Sequence, residues 1–111
     1  MAVLFKSYSK KSDFSDNRAN KVTILSGASG GTIVKSLEIV GSPTASCKVN
    51  VYRTKIDDSS ELSKIPVDLK AKDYLVLWEG FFVIESGVRL EFDADAADVC
   101  VIANVVEMTN G

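Results

Sequence analysis

The side chains able to support chemistry are few, and most lack partners. The chain holds two thiols, Cys47 and Cys100, and no histidine. Without histidine there is no usual general base near neutral pH, no Ser-His or Cys-His nucleophile pair, and none of the commonest metal ligand. Two cysteines cannot fill a four-ligand zinc site without carboxylate help. They read as buried free thiols, packed as small hydrophobes; a Cys47–Cys100 bridge is the other reading. Asp93, Asp95 and Asp98 resemble a fragment of a calcium loop, but the central glycine and the distant glutamate are missing. A solvated turn is expected there. Glu79 and Glu85 form a carboxylate pair of the glycosidase kind, yet nothing in the sequence gathers them around a cleft. The glycine cluster from Ser26 to Thr32 lacks the lysine and the following helix that a phosphate cradle needs. A hairpin turn is expected instead. No catalytic residue, cofactor or metal ligand is assigned, and an enzyme is not expected.

The elements around these residues are strands. The 111 residues suffice for one domain. Hydrophobic residues make up 46% and charged residues 25%, which is ordinary globular composition and argues against disorder. Val and Ile, whose branched side chains favour pleated surfaces, account for 21 positions. The expected strands are Lys21–Ser26, Thr32–Val40, Ala45–Arg53, Ile65–Leu69, Tyr74–Glu79, Phe81–Glu85, Arg89–Phe92 and Val99–Met108. Pro66 puts the fourth at an edge or a strand start. Gly80 suggests a tight bend between the fifth and sixth. Thr54–Ser63 reads as a polar loop, and Asp93–Asp98 as a turn or a single helical turn. No segment carries a 3.6-residue period long enough for a helix. Short strands with turn signals at such spacing predict an all-β fold, a single antiparallel β-sandwich of jelly-roll or immunoglobulin-like type.

Residues 1–20 stand apart from the sandwich domain at 21–111. Lys6, Lys10, Lys11 and Arg18 against Asp13 and Asp16 make this segment net +2, whereas the whole chain is net −2. It is polar, serine-rich and without a sustained period, and so reads as an extended N-terminal arm or long loop. Val3, Leu4, Phe5, Tyr8 and Phe14 favour an arm that docks on a neighbouring subunit, because a solvated tail gains nothing from them. The last strand supplies a second contact surface. Val99, Val101, Ala103 and Val105 share one face, while Cys100, Ile102, Val106 and Met108, with Asn104, share the other. A strand apolar on both faces implies that the outer one is covered. Phe81 and Phe82 point to opposite faces, so one is free for a partner. The partner-binding candidates are therefore Val3, Leu4, Phe5, Tyr8, Phe14, Phe82 and Ile102.

The acidic body and weakly basic arm disfavour nucleic acid as a partner. No apolar run is long enough for a signal peptide or a membrane span, which predicts a chain that is cytosolic when made.

The order Val22-Thr23-Ile24-Leu25, a glycine-rich turn, Thr32–Ile39 and then Cys47–Arg53 resembles small β-sandwich proteins of tailed-bacteriophage virions. Leu75-Val76-Leu77 and Gly87-Val88-Arg89-Leu90 extend the resemblance over roughly residues 20–108. It implies a non-enzymatic structural virion protein: capsid decoration, neck or tail attachment, or a fibre module. Other virion proteins, such as a major capsid protein, are the implied partners. A homo-oligomer is expected, a trimer by preference, because shell symmetry axes favour closed rings. The competing reading is a carbohydrate- or receptor-binding module in which Tyr52, Tyr74 or Trp78 stacks on the ligand.

Overall fold

A computed structural model describes residues 2–12, 21–41, 47–69, 75–94 and 99–109. They form eight strands: β1 (Ala2–Lys11), β2 (Val22–Ser26), β3 (Thr32–Gly41), β4 (Cys47–Lys55), β5 (Glu61–Leu69), β6 (Leu75–Ile84), β7 (Val88–Ala94) and β8 (Val99–Thr109). Two antiparallel four-stranded sheets result, with strand orders β1-β8-β3-β6 and β2-β7-β4-β5. We call them the first and second sheets. Apart from the β4–β5 hairpin, each successive strand changes sheet. This is the jelly-roll form of the sandwich, and it decides between the two sandwich types left open above.

The period-two alternation explains how the sheets close. Val99, Val101, Ala103 and Val105 of β8 and Val34, Leu37 and Ile39 of β3 are buried. Facing them are Val49 and Val51 of β4, Leu90 and Phe92 of β7, and Ile24 and Leu25 of β2, all in the same core. Each fully buried Val, Leu, Ile or Phe contributes roughly 1.5–3 kcal/mol of transfer free energy. Cys47, in the core, and Cys100, half-buried, are not joined by a disulfide.

Several expectations need correction. The stretch read as an arm forms strand β1 over Ala2–Lys11, zipped antiparallel along β8 from Ala2↔Thr109 to Lys11↔Cys100. Its weak apolar period hid it, since an edge strand needs no buried face. Gly80 does not bend the chain. It lies inside the continuous strand β6, where the register with β3 shifts between Val34 and Ser36; glycine within a strand is a usual mark of such a bulge. The Gly27–Gly31 segment carries the chain from β2 in one sheet to β3 in the other, so it is no hairpin. Gly27 is required by close approach: a Cβ there would collide with the Glu85 carbonyl. The loop expected at Thr54–Ser63 shrinks to a short turn, with Gly87 at φ +86° on the neighbouring β6–β7 turn. Pro66 does lie on an edge strand, β5.

Candidate functional site

The outer face of the first sheet is where exposed apolar groups gather. Register pairs Phe5 with Val106, Val106 with Ile33 and Ile33 with Val83, so these residues form a row across all four strands. Phe5 is 84% exposed, Val3 50% and Val83 39%. The next row, toward Val3, brings Met108 alongside. The row on the other side is polar. Ser7 Oγ donates to Asn104 Oδ1 (2.6 Å), and Asn104 Nδ2 donates to Ser36 Oγ (3.1 Å) and Glu38 Oε2 (3.3 Å). Ile102 follows, half-buried between Ser9 and Glu38. A shallow depression of about 290 Å³ beside Phe5 is lined by Lys6, Ser7, Lys35, Asn104 and Val105. This face therefore offers an apolar ridge with Lys35 beside it.

The inner-facing side of β1 works differently. Tyr8 donates its hydroxyl hydrogen to Glu107 Oε1, and Lys6 Nζ lies 3.5 Å from Glu107 Oε2. Glu107 is a buried carboxylate, and burying a charge is tolerable only when it is paired. The bond to Glu107, then burial, raise the Tyr8 pKa above its ordinary value. The Glu107 charge beside Lys6 raises the lysine as well. At the far end Ser12 N donates to Val99 O (2.7 Å), while Val99 N donates to Ser12 Oγ (3.1 Å).

The expected partner residues thus divide. Val3, Phe5 and Ile102 lie on the outer face. Leu4 (45% exposed) and Tyr8 lie on the opposite side of β1. Phe82 pairs with the buried Val34 and packs against the core, with the Arg53 guanidinium 5.8 Å from its ring. That withdraws it from the outer face. Phe14 lies outside the described residues.

The outer face of the second sheet is polar and self-contained. The buried Glu91 accepts from Thr54 Oγ1 (2.8 Å) and pairs with Arg89 Nε (3.2 Å) and Lys21 Nζ (3.8 Å). Asp93 accepts from Tyr52 Oη (2.8 Å) and Asn50 Nδ2 (3.1 Å). Tyr52 is 6% exposed, with Lys21 Nζ 4.1 Å and Lys64 Nζ 5.8 Å from its ring centroid. Burial, then the Asp93 bond, raise its pKa strongly. A ring so covered cannot stack on a sugar, which removes Tyr52 as a glycan platform. Nor is Asp93 an idle calcium ligand, since both its oxygens are engaged; Asp95 and Asp98 lie outside the described residues.

The glycine-rich segment is equally occupied. Gly27 N donates to Val88 O, Gly30 N to Met108 O, and Ala28 N to Thr32 Oγ1. These amides hold the turn rather than a phosphate. A cleft of about 530 Å³ at one end of the sandwich is lined by Arg53, Lys55, Asp57, Glu85 and neighbours. Arg53 is tied there to Ser63 Oγ (2.8 Å) and the Val83 carbonyl (3.1 Å). The described residues include no cluster of three or more metal-ligating side chains and no helix long and apolar enough to cross a membrane.

No protein-family model matches the chain, and no curated protein matches it. Among solved structures, it is similar to a chain of Desmodium yellow mottle tymovirus at 9% identity, with a TM-score of 0.48, over 95% of this chain and 85% of that one.

Proposed function

We propose that this chain is a non-enzymatic structural protein of a virion, a capsid decoration protein that binds the assembled shell through the outer face of its first sheet. The observation that carries the reading is the apolar row Phe5–Val106–Ile33–Val83 across the first sheet, exposed at its two ends, Phe5 and Val83. Jelly rolls serve as virion domains among other roles, and fold alone does not choose between them. The apolar row favours a protein partner. The sequence resemblance to virion sandwich proteins supports the same choice, with other virion proteins as partners and the particle as the location. A domain that binds only assembled shell stabilises it by mass action.

The test has two steps. Particles purified from the source culture are analysed for this chain by mass spectrometry and antibody labelling. The chain is expected in stoichiometric amounts on intact particles, and its absence from them would overturn the reading. The Phe5→Asp variant is then added to particles stripped of the protein. A central aromatic anchor is worth about 2 kcal/mol or more, so binding should weaken at least roughly 30-fold while the melting temperature holds.

A further inference from the structure

We infer that β1 exchanges between copies of this chain, so that the β1 of one copy pairs with the β8 of another. The partner is a second copy, and the inference does not depend on the virion reading.

The first ground is what β1 omits. None of its side chains belongs to the buried core, which closes between β2, β3, β4, β6, β7 and β8; Tyr8 only packs against its margin. The second is what β8 requires. Among the described residues, both partners of the buried Glu107 come from β1, Lys6 and Tyr8. Asn104 takes Ser7 from β1, and the Val99 backbone takes Ser12 just beyond it. Without a β1, Glu107 would lose both of these partners and β8 would present an open edge. These bonds specify that a β1 must be present and leave open whose it is.

The third ground is what a lone chain leaves bare. Leu4 on one side of β1 and Val3 and Phe5 on the other stay substantially exposed when β1 folds onto its own β8. In an exchanged assembly β1 runs between two bodies, which brings a second copy beside its exposed Leu4 side and leaves the Phe5 side facing outward. The tether allows this. The ten residues from Ser12 to Lys21 span up to roughly 33–36 Å when extended. That exceeds the 27 and 19 Å shorter dimensions of the molecule. Closed and exchanged forms contain the same β1–β8 bonds, so protein concentration decides between them.

A single substitution tests this. Lys11 pairs in register with Cys100, next to the hydrogen-bonded Ser12–Val99 pair, so it lies at the closer, non-hydrogen-bonded kind of position. Lys11→Cys therefore places a thiol within disulfide reach of Cys100 on whichever copy supplies β8. The variant is oxidised at micromolar and at millimolar concentration and run on denaturing gels without reductant. Covalent oligomers that increase with concentration, and vanish when Cys100→Ser is added, are the expected result. Closed monomers alone at millimolar concentration would overturn the exchange. If the variant does not fold, light scattering on the unaltered chain decides, and a monomer throughout that range also overturns it. Oligomers of the unaltered chain alongside only closed disulfide monomers would reject the exchange and leave the virion reading standing.

Discussion

The two outer faces of the sandwich use their polar residues in opposite ways. On the second sheet, Glu91, Asp93, Thr54 and Tyr52 bond to one another and to Arg89, Asn50 and Lys21. That face satisfies itself and needs no cover. On the first sheet, the polar ladder through Asn104 occupies one row, and the row beside it leaves Phe5 and Val83 open. A surface that buries its own charges spends them on stability, whereas one that leaves aromatic area in water is suited to association. The contrast separates a face that satisfies its own polar groups from one that leaves apolar area in water, the face proposed above to bind.

The contrast breaks most visibly at Glu91. Arg89→Ala removes a partner from a buried carboxylate, and such losses are severe when the remaining bonds cannot compensate. With Lys21 and Thr54 still in place, a destabilisation of about 2 kcal/mol is expected by denaturant titration, with self-association and particle binding unchanged. The Phe5→Asp variant should show the reverse pattern. Equal loss of binding in both variants would erase the division. Asn104→Ala comes next in size. It strips the partner from Ser7, Ser36 and Glu38, all of which can turn to water, so about 1 kcal/mol is expected. That loss should be accompanied by faster amide exchange along β1 than along β3.

The smallest effect is on pH dependence. Tyr52 and Tyr8 both have folded pKa values above the ordinary 10.0. Their contribution is full below pH 10 and is lost as pH rises through the raised values. The melting temperature should fall on the alkaline side. Tyr52→Phe should flatten that fall more than Tyr8→Phe, because its shift is the greater. An alkaline fall unchanged in Tyr52→Phe would show that the second face is not sealed as described.

Much of this was legible before any fold was known. The alternation in β8 put Val99, Val101, Ala103 and Val105 on one face, and that face is the core side. Phe5 was read only as part of an arm; its place on the outer face follows from the register of β1 against β8. Phe82 was not legible: two adjacent phenylalanines must point opposite ways, but the sequence does not say which way is in. The Tyr52–Asp93 and Thr54–Glu91 clusters were also hidden, being separated by 41 and 37 residues.

By itself, the sequence determined the all-β class, most of the strands and which side chains share a face within them, since these follow from a two-residue period. It also determined that histidine chemistry is absent. Only the tertiary structure decided that β1 is a strand, that the sandwich is a jelly roll, and that one outer face closes on itself while the other stays open. Those are choices of partner between distant segments. Nothing in a local period encodes which edge a strand will find, because backbone hydrogen bonds are the same with every neighbour.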